Sequence, residues 1–358
     1  MPEIIYRNRR AVAVENDLLR LTVTVEGGHV AQILDKQTQI NPLWSPPWPS
    51  IEPSTYDPGR HPEYGHDSES KLLAGILGHN LCLDMFGGPS PDEAAAGLTV
   101  HGEANVVPYA ITSSGGELIM RCDLPVAGLR FERRLRLQPG SRVVRFTETV
   151  ENVSGTDRPI AWTQHVTLGP PFLEKGSTQF RASATLSRTI EWDFTGGRGY
   201  MQLGVDFDWP YVPRLDGGAS DLRVFTDAPV SGAFSTHLMD PKRAQAYFLA
   251  FCPRSRMLCG YVWKQPDFPW LGIWEENYSR TMPPWNGETL TRGMEFGASP
   301  MPESRRQMID RGSLFGFPGY RWIGARHSAA VEYCAFLTTA ERIPEAVTWD
   351  GGFGVRFD

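Results

Sequence analysis

The sequence predicts an all-β protein built from antiparallel sheets, because apolar and polar residues alternate and turn-forming residues are abundant. Residues 129–137 alternate between leucine or phenylalanine and mostly charged side chains, the period of a strand with one buried and one wet face. Pro139 and Gly140 then predict a turn, since proline presets φ and glycine tolerates positive φ. With 36 glycines, 29 prolines and 11 tryptophans in 358 residues, the composition favours many short strands joined by turns.

The same period of two indicates strands along most of the chain. Residues 19–25 alternate, and Glu26, Gly27 and Gly28 turn the chain toward a strand at 30–34. Further strands are predicted at 98–100, 144–150, 160–167, 222–226, 247–252, 257–263, 272–275, 289–296 and 331–337. Short helices are predicted at 90–96 and 303–311, and Pro344 should interrupt any strand around it.

Residues 41–64 contain seven prolines and predict a long loop rather than a central strand. Loops of this length often cover a functional site, and an ordered surface loop is an equal alternative. No linker and no internal repeat divides the sequence. We therefore expect residues 1–358 to form a single domain.

Charge and hydropathy exclude several classes of partner. The net charge is −6, with no concentrated basic surface, so neither nucleic acid nor a membrane is expected as a partner. The arginines at 130–136 are predicted to line the wet face of a sheet. The N-terminus lacks the apolar stretch of a signal peptide, and no run approaches the roughly 20 apolar residues of a membrane span. Five cysteines without a C-x-x-C pair predict reduced, mostly buried thiols and a cytoplasmic location.

Two histidines stand in segments that are typical of functional sites. His101 precedes Gly102, which would let the chain turn sharply beside the imidazole. His165 follows Gln164 within an otherwise apolar strand, where a polar pair is costly unless it is satisfied. A surface or structural role for His101, and a hydrogen-bonded core role for His165, are the alternatives.

A carboxylate pair closes the apolar run that begins at Trp270. Only one of Glu275 and Glu276 can share a face with a given pocket, because adjacent strand residues point to opposite faces. Near Trp274 and Trp285 a carboxylate would lose hydration, which raises its pKa toward the range useful for proton transfer. Two carboxylates on the rim of a surface are the alternative.

The order His101, His165, Glu275 on separate strands makes the sequence resemble the aldose 1-epimerase (galactose mutarotase) superfamily. That family carries an early His-Gly motif, a second His at a strand end after an Asn-x-Ser/Thr stretch, and a Glu at the end of a late apolar strand. Here the Asn-x-Ser stretch begins at Asn152, and the glycines near 27 and 28 resemble the family's first hairpin. The resemblance implies a large antiparallel β-supersandwich of the galactose mutarotase-like kind.

The resemblance also implies a mechanism, in which a sugar ring opens and closes again on its other face. Glu275 would be the base at the anomeric hydroxyl, His165 the acid at the ring oxygen, and His101 would hold or polarise that region. The chemistry needs no metal and no organic cofactor, and its partner is a small sugar; the sequence leaves the oligomeric state open. The side chains expected to bind the sugar are His79, Asp208, Trp274, Trp285 and Arg292.

Two positions depart from the family pattern. His79 stands where the family has a sugar-binding Arg, and Asp208 is the best candidate for the family's sugar-binding Asp. A structural ion pair of Arg292 with Glu295 is the alternative to a binding role. These departures suggest a divergent branch whose substrate differs from plain galactose.

Two other functions compete with an epimerase. A non-catalytic carbohydrate-binding sandwich would keep the aromatic side chains without a working acid and base. A glycoside hydrolase or lyase would need two carboxylates roughly 5–9.5 Å apart, which Glu275 with Glu295 or Asp208 could supply. The fold alone does not decide between these functions, since one fold hosts several chemistries.

Overall fold

A computed structural model describes residues 2–358, which form two large sheets and a few short helices. The strands in chain order are β1 (Ile4–Tyr6), β2 (Arg9–Glu15), β3 (Leu19–Thr24), β4 (Val30–Asp35), β5 (His79–Asp84), β6 (Ala110–Ser114), β7 (Glu117–Leu124), β8 (Leu129–Leu137), β9 (Val143–Asn152), β10 (Arg158–Leu168), β11 (Gln179–Ala182), β12 (Ala184–Thr189), β13 (Asp206–Asp208), β14 (Tyr211–Pro213), β15 (Ala219–Asp221), β16 (Ser231–Met239), β17 (Gln245–Cys252), β18 (Met257–Lys264), β19 (Trp270–Asn277), β20 (Leu290–Gly297), β21 (Ser313–Leu314), β22 (Phe317–Pro318), β23 (Arg321–Ile323), β24 (Ser328–Thr339), β25 (Val347–Trp349) and β26 (Val355–Phe357). The helices are α1 (Ser70–Leu73), α2 (Pro91–Ala95) and α3 (Arg305–Arg311), with single 3-10 turns at Pro53–Thr55 and Pro62–Tyr64.

Two antiparallel sheets make up the sandwich. The larger has 12 strands in the order β1-β2-β3-β4-β5-β10-β20-β19-β16-β12-β13, with β23 also paired to β10. The smaller has eight strands in the order β11-β17-β18-β24-β9-β8-β7-β6. Every strand pair within both sheets is antiparallel. The predicted all-β, antiparallel fold class is confirmed.

The main core lies between the two sheets, as the alternation of side chains requires. Phe131 and Leu135 of β8 and Phe146 of β9 face inward from the smaller sheet, where they join Val166 of β10 and Phe296 of β20. The predicted hairpin at 129–150 is present as β8 and β9, paired from Leu129 with Asn152 to Leu137 with Val144. Burial of such side chains contributes about 1.5–3 kcal/mol each.

One arginine of the 130–136 stretch departs from its prediction. Arg133 has the parity of Phe131 and Leu135, so its side chain points into the core, where it is 1% exposed. Its Nε donates to Glu148 at 2.8 Å, and Tyr333 donates to the same carboxylate at 2.7 Å. The prediction that all these arginines line the wet face is wrong for Arg133, because parity along the strand, not charge, decides the face.

Two predicted strands are absent, and the predicted helices are shorter than expected. Residues 98–100 form no strand, and residues 222–226, which follow β15, contain only an isolated bridge at Val224. Helices α2 and α3 replace the predicted spans 90–96 and 303–311, and capping boxes at Ser90 and Ser304 set their starts. The 41–64 stretch contains no strand, and the segment around Pro344 contains none either.

All five cysteines are buried and none pairs with another, as the sequence predicted. Within residues 2–358, no helix combines the length and the apolar character that crossing a bilayer requires.

Candidate active site

A cavity of about 180 Å³ opens on the outer face of the 12-stranded sheet, opposite the main core. Strands β10, β19 and β20 each place one side chain in it. The lining residues are Glu69, Leu72, Leu73, Ile76, Gly87, Gly88, Val100, His101, His165, Ile190, Trp192, Phe194, Phe234, Trp274, Arg280, Trp285, Glu295 and Pro302. The volume lies below the usual 300–1,000 Å³ of drug-sized sites, so the cavity suits a small ligand.

Strand register determines which polar groups reach this cavity. His165 of β10 pairs directly with Glu295 of β20, so both side chains stand on the outer face. Trp274 pairs with Gly293 of β20, two residues from Glu295, and therefore shares that face. The sheet thus brings an imidazole, a carboxylate and an indole together without help from any loop.

His165 and Glu295 form the polar centre of the cavity. Nε2 of His165 lies 3.1 Å from Oε1 of Glu295, and both side chains are at most 6% exposed. The orientation is not that of a good hydrogen bond, and Oε1 has no other partner. Nδ1 of His165 lies 2.9 Å from the hydroxyl of Thr167, which orients the ring. A carboxyl group and an imidazole 3.1 Å apart therefore face the cavity.

His101 lies beside this pair, with its ring centroid 4.9 Å from that of His165. Its Nδ1 lies 2.5 Å from the carbonyl oxygen of Phe86, and a carbonyl only accepts, so Nδ1 carries the proton. Gly102, at φ +81°, follows it, and a Cβ there would meet the carbonyl oxygen of Leu83 at 2.4 Å. The sharp turn expected at Gly102 is present and sets the direction of the imidazole.

Burial controls the protonation of all three groups. Loss of hydration raises the pKa of Glu295 well above its ordinary value and lowers the pKa of His165 well below its own. Loss of hydration also lowers the pKa of His101 to about 4, with the nearby Arg280 guanidinium acting in the same direction. At neutral pH His101 is therefore an uncharged imidazole whose Nε2 is an acceptor.

Tryptophans form one wall of the cavity. Trp274 and Trp285 lie with ring centroids 5.9 Å apart, and the loop at 41–64 supports them through Trp44 and Trp48. Trp44 stacks on Trp285 at 6.2 Å, and Trp48 meets the same ring edge-on at 5.2 Å. The loop at 41–64 therefore packs against the tryptophan wall of the cavity through these two side chains.

An ion pair that the sequence did not suggest completes the lining. Arg280 lies 4.7 Å above the ring of Trp285, and its Nη1 donates to Glu69 at 3.1 Å. Its Nε also lies 3.6 Å from the carboxylate of Glu276, four residues earlier. Glu69 and Arg280 are 211 positions apart, so no local pattern could have paired them.

A glycine makes room for the carboxylate of Glu295. A Cβ at Gly293 would stand 2.2 Å from Oε1 of Glu295 and 3.2 Å from the Cβ of Trp274. Real atoms do not approach to 2.2 Å, so any side chain at position 293 would have to displace the carboxylate of Glu295. The strand segment around Gly293 is therefore shaped for the carboxylate and the indole together.

Glu275, expected to be the base, does not line the cavity. It has the parity of Leu271 and Ile273 and points toward the inside of the sandwich, where Ser231 donates to it at 3.1 Å. Its strand partner Arg292 shares that inner face and packs 4.3 Å over the ring of Phe180. The expectation is corrected: the register that brings Trp274 into the cavity turns Glu275 and Arg292 away from it.

Glu276 is on the outer face, but it is not free. Its carboxylate accepts from the hydroxyl of Ser279 at 2.9 Å and from the backbone N–H of Arg280 at 3.0 Å. It therefore holds the turn that carries Arg280 and is not available as a base. The pocket carboxylate next to the histidines is Glu295.

His79 and Asp208 also lie away from the cavity. His79 points into the core, where its Nε2 lies 3.0 Å from the amide oxygen of Gln164. Asp208 ends the edge strand β13 and is exposed. Of the eight residues predicted for the site, the structure gathers His101, His165, Trp274 and Trp285 and separates Glu275, Arg292, His79 and Asp208.

Comparisons with known proteins identify the fold. No family model matches the sequence, and no curated protein matches it. Among solved structures, a candidate aldose 1-epimerase from Klebsiella pneumoniae has a TM-score of 0.68 at 15% identity, covering 93% of this chain and 80% of that one. A galactose mutarotase related enzyme from Lactobacillus acidophilus has a TM-score of 0.59 at 10% identity, covering 92% and 97%.

A galactose mutarotase-like protein from Clostridium acetobutylicum has a TM-score of 0.60 at 12% identity, covering 95% and 98% of the two chains. At these identities the likeness shows the fold and not the chemistry. The chain has the galactose mutarotase-like β-sandwich fold, as the resemblance predicted.

Proposed function

We propose that this protein is an aldose 1-epimerase-like enzyme that interconverts the anomers of a small sugar. The single observation that carries the proposal is the contact of His165 with Glu295, 3.1 Å apart in a tryptophan-walled cavity. Mutarotation needs one base and one acid near neutrality. The two oxygens they serve, the anomeric hydroxyl and the ring oxygen, are bonded to the same carbon, so an adjacent acid and base suit this chemistry.

The pair exchanges its protonation states during the reaction. The carboxylate of Glu295 takes the proton of the anomeric hydroxyl while protonated His165 gives its proton to the ring oxygen. The bond between C1 and the ring oxygen breaks, and C1 forms a double bond to its own oxygen. Glu295 is then neutral and His165 is neutral, and the total number of protons on the pair is unchanged.

Ring closure reverses these transfers on the other face of the aldehyde. After rotation about the C1–C2 bond, Glu295 returns its proton to the carbonyl oxygen as the sugar hydroxyl attacks C1. His165 takes the proton from that hydroxyl, and the original state of the pair is restored. Burial raises the pKa of Glu295 and lowers that of His165, so it favours the arrangement in which the proton rests on Glu295. The reactive arrangement forms when this proton passes to Nε2 of His165, 3.1 Å away, before the ring opens.

The other lining groups hold the sugar. Trp274 offers its ring to the C–H face of a pyranose. The ring of Trp285, which Trp44 and Arg280 contact, extends the aromatic wall beside it. The free Nε2 of neutral His101 accepts a hydrogen bond from a sugar hydroxyl, which positions the ring against His165. No step in this scheme depends on a group outside the chain.

The decisive comparison is between two conservative variants on the outer and inner faces of the same sheet. Glu295→Gln should lower the catalysed rate of anomer exchange about 10²- to 10⁴-fold, because the general base is lost. Glu275→Gln should leave that rate within about twofold, since its side chain faces the other way. Saturation-transfer NMR on a panel of free aldoses measures the rate, and circular dichroism verifies folding.

Two outcomes would overturn the proposal. If the Glu295→Gln protein still accelerates anomer exchange at the wild-type rate, Glu295 is not the general base. A folded wild-type protein that binds sugar without accelerating the exchange of any aldose would establish a carbohydrate-binding protein instead.

A further inference from the structure

One part of the cavity lining, the hydrocarbon wall, consists of side chains without polar atoms. Its members are buried, between 1% and 5% exposed: Leu72, Leu73, Ile76, Ile190 and Phe234. They belong to one apolar cluster on the outer face of the sheet, which also contains Trp274 and Trp285. The titratable groups that line the cavity are the pair, His101 and the Glu69–Arg280 ion pair, and the indole N–H of Trp274 is a further donor there without a partner.

This wall restricts where a sugar can carry hydroxyl groups. Tryptophan rings accept the C–H face of a pyranose, but leucine and isoleucine side chains offer neither a donor nor an acceptor. A hydroxyl pressed against them loses its water and gains no partner, which costs binding free energy. Carbon-bound hydrogen in the same place gains contact and loses nothing. The atoms of a well-bound ligand that meet Leu73 and Ile190 are therefore carbon.

Charge narrows the ligand further. Among residues 2–358, Arg280 is the only lysine or arginine that lines this cavity, and it is bound to Glu69 and lies near Glu276. The carboxylates of Glu69 and Glu295 both face the same space. A phosphosugar or a uronic acid would find no free cation, so the cavity selects a neutral ligand.

We propose that the substrate is a neutral 6-deoxyhexose, whose methyl group packs against Leu72, Leu73 and Ile190 where an ordinary hexose carries a hydroxymethyl group. The inference rests on the proposed function, because it places the anomeric carbon at the His165–Glu295 pair. The inference goes beyond the proposed function because it names the substrate class and assigns the selectivity for a deoxy sugar to the hydrocarbon wall. A hexose that is O-methylated at C6 also presents a methyl group to this wall, and the test distinguishes it from a 6-deoxyhexose.

The test uses sugar pairs that differ only at C6. These are D-galactose with 6-deoxy-D-galactose, D-glucose with 6-deoxy-D-glucose, and L-mannose with L-rhamnose. Affinity is measured by NMR titration of the unlabelled protein into each sugar, and anomer exchange by saturation transfer in the same samples. We expect at least one deoxy sugar to bind about tenfold more tightly than its hydroxylated twin. The 6-O-methyl hexose of that pair should bind less tightly than the deoxy sugar, whose methyl group fits the small cavity.

A polar substitution in the wall should change this preference. Leu73→Asn keeps the size of the side chain and adds an amide, so the ratio of affinities should fall toward one. Leu73→Met keeps the wall apolar and should retain the preference. Leu186→Asn, at a side chain that is 44% exposed and outside the cavity, is the matched control. If Leu73→Asn fails to fold, the Leu73→Met variant and the six unmodified sugars still decide the question.

The outcomes separate this inference from the proposed function. If the hydroxylated hexose binds as tightly as its deoxy twin in all three pairs and exchange is accelerated, the deoxy-sugar assignment is overturned and the epimerase remains. If a deoxy sugar binds more tightly than its twin but its anomer exchange is not accelerated, the role of the wall in selectivity is supported and the proposed epimerase activity is contradicted. If the 6-O-methyl hexose binds more tightly than the 6-deoxy sugar, the wall recognises an O-alkylated sugar and the 6-deoxyhexose assignment is overturned. Binding of none of these sugars overturns both.

Discussion

The behaviour of the candidate site depends first on the one proton that the proposed mechanism places on either Glu295 or His165. Adding a second proton would charge His165 while Glu295 is neutral. Burial lowers the pKa of His165 for this step below the ordinary histidine value of about 6.5. Removing the shared proton would leave Glu295 ionised, and burial places that pKa well above its ordinary value of about 4.3. The pair therefore keeps one proton over the whole interval between the two steps.

The pH dependence of exchange should follow from this interval. We expect the catalysed rate at about pH 5.5 to remain at least half of its value at about pH 7, because the acid limb is displaced downward from 6.5. Rates measured by saturation transfer between about pH 4.5 and pH 8, with the Glu295→Gln protein as the blank, give the profile. An acid limb centred near 6.5 would indicate a solvated histidine and contradict the buried pair.

At the scale of elements, β20 is the strand on which the site depends most. It pairs with β10 on one side and β19 on the other, so it brings three side chains onto one face, with His165 opposite Glu295 and Trp274 opposite Gly293. Gly293 provides the space that the Glu295 carboxylate occupies. Main-chain register and one missing Cβ together position the reacting groups.

Gly293→Ala should therefore damage catalysis more than stability. The new methyl group must displace the Glu295 carboxylate, which stands 2.2 Å from its position, and a misplaced base lowers the exchange rate about 10²-fold. The melting temperature should fall by only a few degrees. Saturation transfer and thermal unfolding on the same samples measure both quantities.

Gly155→Ala is the control, because a Cβ there would meet nothing within 4 Å. It should change neither the rate nor the melting temperature. A Gly293→Ala enzyme with the wild-type rate would show that the carboxylate can work from another position, and the role of this glycine would be wrong.

At the scale of the whole molecule, one buried polar network joins the two sheets behind the site. Arg133 and Glu148 come from the smaller sheet, and Arg133 also donates to the amide oxygen of Gln164 on β10 at 3.0 Å. Gln164 and His165 are consecutive on β10, so the side chain of Gln164 faces the core network and that of His165 faces the cavity. The network thus supports the strand that carries the histidine.

Arg133→Met should destabilise the fold by about 3–5 kcal/mol, because it leaves the carboxylate of Glu148 buried without its cation. Urea unfolding followed by tryptophan fluorescence measures the change. Arg130→Met removes an arginine that is 54% exposed and pairs with Asp123, and it should cost less than about 1 kcal/mol. Equal effects of the two substitutions would show that the buried pair contributes no more than a surface pair.

Several features were predictable because they depend on neighbours along the chain. The strands of the 129–150 hairpin, the turn at Gly27 and Gly28, and the loop at 41–64 follow from period-two patterning and from proline and glycine chemistry. The histidines of the site were found by the same reasoning, His165 as a polar break in an apolar strand. Arg133 could have been placed correctly as well, since it shares the parity of Phe131.

The choice of carboxylate was beyond such patterns. Glu275 and Glu295 both follow apolar residues on late strands, and a shift of one residue in register exchanges the faces of every side chain on a strand. Only the pairing of β19 with β20 and β10 shows that Glu295 stands beside His165 while Glu275 faces the core. The Glu69–Arg280 pair was equally inaccessible, since it joins segments 211 positions apart.

The sequence by itself determined the fold class, most of the strands and the two histidines, because alternation and turn chemistry act over a few residues. Tertiary structure alone decided which acid meets His165, which tryptophans form a wall, and which apolar side chains line the cavity with them. The physical reason is that a strand offers two faces of equal geometry. Its partners in the sheet, which lie far away in sequence, determine which face is buried in the core and which one binds the ligand.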